Sequence, residues 1–293
     1  MGHGSYSAAD WGKLRTSRNM DSTVSETEIF KKNQMDPRFD PRFINMREAR
    51  DSEDHPNSTP IIIGLDVTGS MGFLSNKIAR EALHETMMKL YSTKPVEDPQ
   101  LMFAAYGDYR DAAPLQVTQF ESDIRIAEQL LDLWLENGGN GMVVPSFLWH
   151  FAANHTDIDS FKKRKKKGFL FTIGDEAECR VNSLGPFFER AFGEHVSGDV
   201  KRILKDAQKQ YEVFHIFIDG EAKGFKELLP GRTMCISRDE IDLIPEIIIS
   251  AMQVANGEKP ADVCEQWSEL ARPTVLRVTT NLTVGNSKKG FFF

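Results

Sequence analysis

PIIIGLDVTGSMG, residues 60–72, decides how the chain is read. Its three consecutive isoleucines, Ile61 to Ile63, are the kind of short apolar run that a parallel strand shows when both of its faces are buried. Just beyond, Asp66, Thr68 and Ser70 place three oxygen-bearing side chains at alternate positions. Two readings stand open at this point. One is a metal site. The other is a turn in which Asp66 bonds nearby backbone N–H groups and Ser70 caps the next helix.

Outward from this stretch, strand and helix patterns alternate. Residues 71–92 place Ile78, Leu83, Met87 and Leu90 near one helical face. Further strands are expected at 101–109, 115–120, 168–178, 211–219 and 233–237. Helices are expected at 122–139 with Ser122 as cap, at 143–155, and at about 199–210 and 239–255. Such alternation implies right-handed crossovers and a mainly parallel sheet. The fold class is α/β and Rossmann-like, with six strands and helices on both faces.

Residues 1–59 are polar and read as an extended N-terminal arm, with a short helix over Thr23–Lys32. The arm repeats D-P-R-F within MDPRFDPRF (35–43) and should be ordered where Phe39, Phe43 and Ile44 pack. The repeat suits a docking strap better than a recognition motif. Residues 60–257 form the domain, and 258–293 an extension packed on it. Within that extension 274–284 alternates apolar and polar residues like an edge strand, and the KKGFFF terminus must bury itself or dock a partner.

The 293 residues carry a net charge of −7, which argues against a general nucleic-acid binder. Cys179, Cys235 and Cys264 are widely spaced, without a C-x-x-C pair, and read as reduced thiols in a cytoplasmic protein. The N-terminal stretch lacks the apolar core of a secretory signal, and no run long enough to span a membrane is seen. Asn281-Leu-Thr283 then matches a glycosylation sequon by coincidence. Phosphate-loop and dinucleotide-binding glycine motifs are missing. KKRKKKG (162–168) reads as a solvated loop rather than a nuclear signal or a phosphate-binding patch, with local attraction to a polyanion left open. His84, His150, His155, His195 and His215 show no ligand spacing, and Trp134 and Trp149 fit helical apolar faces.

In an open parallel sheet the working crevice lies beyond the carboxyl ends of the strands. Three strands here end in polar clusters: Asp66, Thr68 and Ser70; Asp108 and Asp111 in YGDYRD; Thr172, Asp175 and Glu176 in TIGDEAE. All three converge on one edge, which turns the reading toward a shared oxygen-rich site. Hydroxyls, a few carboxylates and water form a hard shell suited to Mg²⁺ or Mn²⁺. With few carboxylates in direct contact, the ion keeps residual positive charge and can accept a carboxylate from another molecule.

At these residues the chain resembles the von Willebrand factor A domain, over roughly residues 60–255. The metal-ion-dependent adhesion site of that family has the form D-x-S-x-S, completed by a Thr and an Asp from later loops. Asp66-Val-Thr68-Gly-Ser70 matches it with Thr in place of the first Ser, and Asp175 matches the later Asp. The loop ENGGNGMVV departs: it offers Gly138, Gly139 and Asn140 but no Thr. It looks more like the intracellular branch found beside atypical alpha-kinases, where G-G-G-D stands, and Asp108 becomes the third-loop candidate. The resemblance implies a non-catalytic module in an intracellular assembly, which binds a protein partner through the ion. That partner donates an acidic side chain, and neither nucleic acid nor membrane is expected to take part.

Two rivals use the same residues. A haloacid-dehalogenase-like phosphotransferase also places an Asp nucleophile beside Mg²⁺, but it expects a second Asp where Thr68 stands. A purely structural α/β protein would keep the fold without the ion.

Overall fold

Along the strand Thr59–Asp66 the side chains alternate between two cores: Ile61, Ile63 and Leu65 enter one, Ile62 the other, and all four are buried. The computed structural model describes residues 4–20, 26–72, 77, 83–139, 142–179 and 184–284. Its strands are β1 (Arg47–Ala49), β2 (Thr59–Asp66), β3 (Pro99–Tyr106), β4 (Leu115–Val117), β5 (Thr156–Ile158), β6 (Gly168–Gly174), β7 (Tyr211–Ile218) and β8 (Thr233–Ile236). Six of them form one sheet in the order β4-β3-β2-β6-β7-β8. Neighbours pair in parallel except β3 and β4, which are antiparallel. The chain is therefore α/β, with a mostly parallel mixed sheet.

Helices cover both faces, as a sheet buried on two sides requires. Leu83–Thr93 and Ile244–Ala255 share the core that receives Ile61 and Ile63. Ser146–Asn154, Gly185–Phe192 and Val200–Ala207 share the core that receives Ile62. The Ile244–Ala255 helix is buried along its whole length because the helices Pro260–Cys264 and Arg272–Thr279 lie over it. Buried Trp267 donates from Nε1 to Ser250 Oγ at 2.8 Å and ties this layer down.

Several local expectations are corrected. Residues 274–284 hold no edge strand, because Arg272–Thr279 is a helix that buries Val275 and Val278 at helical spacing. Residues 1–59 are more than an extended arm. Ser7 caps a helix over Ala8–Arg18, whose Trp11 and Leu14 enter the main core. The two D-P-R-F copies diverge: Phe39 is buried, but Phe43 is 71% exposed. Ser122 caps no helix; its hydroxyl bonds the Gly4 carbonyl, and the helix there is only Arg125–Leu131. It stops early because the Gln116 side-chain amide binds both Trp134 N (3.0 Å) and Trp134 O (2.7 Å), drawing that backbone toward β4.

The basic run is a solvated loop only from residue 165 to 167. Lys162 and Lys163 lie in the helix Asp159–Arg164 and pair with Asp157 and with Asp51 and Asp159 respectively, while Arg164 holds Asp51 at 2.6 Å. Arg50 reaches Asp157 and Asp159 from the other side. These pairs clamp the small parallel sheet of β1 and β5. The KKGFFF terminus and the beginning of the helix expected from residue 71 lie outside the described residues.

Candidate functional site

The carboxyl ends of β2 and β6 lie side by side, because Leu65 and Ile173 are register partners. That pairing brings the Asp66 loop against the Asp175 loop. Asp66 Oδ1 accepts from Thr68 N at 2.9 Å and from Thr68 Oγ1 at 2.6 Å. Thr68 Oγ1 stands 3.4 Å from Ser70 Oγ, and Ser70 Oγ donates to Asp175 Oδ1 at 3.0 Å. Four predicted site residues thus form one continuous chain of oxygens. Asp66 and Thr68 are buried at its floor, while Ser70 is exposed at its rim.

The start of the helix that Ser70 is expected to cap lies outside the described residues. Ser70 itself lies inside a 3₁₀ turn, Gly69–Met71, and spends its hydroxyl on Asp175. The other half of the turn reading is met, since Asp66 does bond the Thr68 N–H.

Asp108, the fifth predicted residue, follows β3 and is fully buried. Its Oδ1 accepts from Arg110 N at 2.8 Å, and among the described residues its Oδ2 has no hydrogen-bond partner. It is held from behind: Asp108 N donates to Asp111 Oδ2 at 2.9 Å. The glycine pair seats on the same edge, with Gly69 N donating to Gly138 O at 3.0 Å. Asn140 lies outside the described residues. Thr172, in contrast, does not join the cluster. It points into the sheet interior, where its hydroxyl meets His215 Nδ1 at 2.8 Å.

The electrostatics tie these acids together. Burial pushes the Asp66 carboxyl up to about 7, and the charges of Asp175 and Glu176 push in the same direction against the pull of the Thr68 hydrogen bonds. Glu176 is raised by desolvation and by Asp175 and Asp108. Asp111 is raised to about 6 by burial, with Glu136 and Asp108 adding. Six acids therefore repel one another across one edge. The cation beside them is Arg238, whose Nη2 is 4.0 Å from Asp175 Oδ2 while its Nε is 3.2 Å from Asp219. Sequence reading gave Glu176 no ligand role and missed Arg238; its position just after β8, on the same edge, was the available signal.

The donor set fits a hard divalent cation. Octahedral Mg²⁺ with bonds of about 2.0–2.1 Å places neighbouring ligands about 2.9 Å apart. The Asp66–Thr68–Ser70–Asp175 spacings of 2.6, 3.4 and 3.0 Å bracket that value. The buried Asp108 Oδ2 and the crowded carboxyls are groups that a bound cation would satisfy.

No protein-family model and no curated protein matches the chain. Among solved structures it is similar to the open conformation of the pilus adhesin SpaC from Lactobacillus rhamnosus GG, at 8% identity and a TM-score of 0.47 over 72% of this chain and 31% of that one. Another form of that adhesin gives 8% and 0.45 over 71% and 32%. Proximal thread matrix protein 1 from the mussel byssus gives 13% and 0.44 over 66% and 47%. The chain spans less than half the length of each of these structures. Among the described residues, no helix is long and apolar enough to cross a membrane.

Proposed function

We propose that this chain is a von Willebrand factor A-like module that binds a protein partner through a divalent ion, Mg²⁺ or Mn²⁺. Asp66, Thr68, Ser70 and Asp175 hold the ion, directly or through water, and Asp108 contributes through water. The observation that carries this reading is the oxygen chain from buried Asp66 to exposed Ser70, with spacings that suit one hard cation. The exposed end is where an acidic side chain of the partner completes the ion's shell. The module is non-catalytic and works in a cytoplasmic assembly, and its sheet is of the Rossmann-like type.

The burial of Asp66 supports binding over phosphotransfer. A nucleophile must reach its substrate, and this carboxyl is 1% exposed, with Oδ1 taken by two Thr68 donors. Thr68 is also no general acid. The test is a pull-down from native lysate with Mg²⁺ or with EDTA, using wild type and Asp175→Ala. Partners lost on chelation and in the variant are expected. A partner set indifferent to both supports a structural protein, and phosphate release abolished by Asp66→Asn supports the phosphotransferase.

A further inference from the structure

A second polar cluster stands at the C-terminal end of the Ser146–Asn154 helix. His150 lies in its last turns, His155 follows it directly, and Glu194 comes from just beyond the Gly185–Phe192 helix. Their ligand atoms all lie within 4.8 Å of one another. Both imidazoles aim Nε2 at the same carboxylate oxygen: Glu194 Oε1 is 2.7 Å from His150 and 3.1 Å from His155. Phe192 fixes both rings, edge-on to His150 and stacked on His155. The three side chains line a cleft of about 540 Å³.

The far nitrogens say what the near ones offer. His155 Nδ1 lies 3.3 Å from the carbonyl oxygen of Asn45, which can only accept, so Nδ1 carries a hydrogen. A neutral His155 therefore presents a bare lone pair at Nε2. Aimed at a carboxylate oxygen, that lone pair is repelled unless a cation lies between them, the ring is doubly protonated or Glu194 itself carries a proton. A carbonyl holding the far N–H is also the support that metal-bound imidazoles use. His150 Nδ1 meets the Asn154 amide at 3.1 Å. As placed, Asn154 Nδ2 donates both to this nitrogen and to the His150 carbonyl at 3.0 Å, so the His150 hydrogen sits on Nε2 and a metal there must displace it.

We infer that His150, His155 and Glu194 form a site for a divalent metal of the zinc type, with a fourth position open to the cleft. Two imidazoles and one carboxylate around an open position are a zinc donor set, whereas the hydroxyl-rich Asp66 site suits Mg²⁺. Tetrahedral Zn²⁺ with bonds of about 2.0–2.1 Å separates its ligands by about 3.3 Å. The Glu194 side chain, 44% exposed, has the freedom to withdraw by the needed few tenths of an ångström.

The test is titration of the full chain, saturated with Mg²⁺, with Co²⁺ followed by visible absorption and then with Zn²⁺ as competitor. Wild type should take up one equivalent of Co²⁺ with the strong bands of four-coordinate geometry, and Zn²⁺ should displace it. His155→Gln and Glu194→Gln should each weaken binding by more than the roughly 10–100-fold that loss of an outer-shell partner costs. Asp66→Ala should bind Co²⁺ as wild type does. Absence of saturable Co²⁺ or Zn²⁺ uptake, unchanged affinity in both cluster variants, or loss of uptake in Asp66→Ala would each overturn the inference. The cluster would then be two imidazoles hydrogen-bonded to one carboxylate.

Discussion

Ser70 Oγ donates to Asp175 Oδ1 at 3.0 Å across 105 positions of sequence, closing the gap between the ends of two neighbouring parallel strands. A hydroxyl that donates to a carboxylate still has lone pairs to give an ion, and the carboxylate has a second oxygen. Calorimetric titration should therefore show one Mg²⁺ or Mn²⁺ bound to wild type at millimolar affinity or tighter. Asp66→Ala and Asp175→Ala should each weaken it by about tenfold or more, about 1.4 kcal/mol. Equal binding by wild type and Asp66→Ala would reduce the 60–72 stretch to a well-bonded turn.

Without the ion, the buried Asp66 carboxyl faces Asp175 and Glu176, and the half-exposed Arg238, 4.0 Å from Asp175, offsets their charge only in part. Asp66→Asn keeps an oxygen for the two Thr68 donors and removes the charge. In EDTA at pH 8 the variant should therefore be more stable than wild type, by on the order of 1 kcal/mol. In saturating Mg²⁺ the order should reverse, since only wild type binds the ion well. Thermal melts of both proteins in both buffers decide this. An Asn variant that melts lower in EDTA sinks the idea of an uncompensated charge.

Glu178 gives the pH dependence a separate handle. It is buried, accepts from Ser146 N at 3.0 Å and from Ser146 Oγ at 2.8 Å, and burial pushes its carboxyl up to about 8. The folded state thus holds the proton more tightly than the unfolded chain. That contribution to stability is complete below the ordinary carboxyl range and is lost as pH rises toward 8. Glu178→Gln, neutral throughout, isolates it. Relative to wild type the variant should gain stability between pH 5 and pH 8.5, on the order of 3 kcal/mol, because a tenfold change in proton affinity is about 1.4 kcal/mol. Denaturant melts showing a difference that does not vary with pH would count against it.

Most of the large sheet was legible because its strands are apolar runs buried on both faces, and those runs ended in the residues that meet at the site. Ile61–Ile63, then Asp66, could be read locally. What escaped depends on partners distant in sequence. Gln116 ends a helix by bonding Trp134, and no pattern within residues 122–139 reveals that. Residues 274–284 alternate by composition, yet the helix Arg272–Thr279 forms because Val275 and Val278 have the Ile244–Ala255 helix to pack on. The order of β3 and β4 was equally hidden, since an edge strand of three residues can pair in either direction. His150 and His155 are five residues apart, outside the usual helical ligand spacings, and meet only because His155 already lies beyond the helix end.

The glycine pair supplies the final test, because neither glycine has a side chain to offer an ion. A Cβ added to Gly138 would stand 2.0 Å from Asp111 Oδ1 and 2.6 Å from its Cγ. Asp111 is 8% exposed and holds Asp108 N through Oδ2, so it cannot yield without releasing the Asp108 loop. Gly138 O also anchors Gly69 N, between Thr68 and Ser70. Gly138→Ala should therefore weaken Mg²⁺ binding by about tenfold, although its own side chain supplies no ligand. Gly12→Ala is the control. It lies in the Ala8–Arg18 helix with nothing within 4 Å of the added carbon, and should leave Mg²⁺ affinity unchanged while stabilising the fold by up to about 1 kcal/mol. If Gly138→Ala binds Mg²⁺ like wild type, the glycine loop has no part in holding the site.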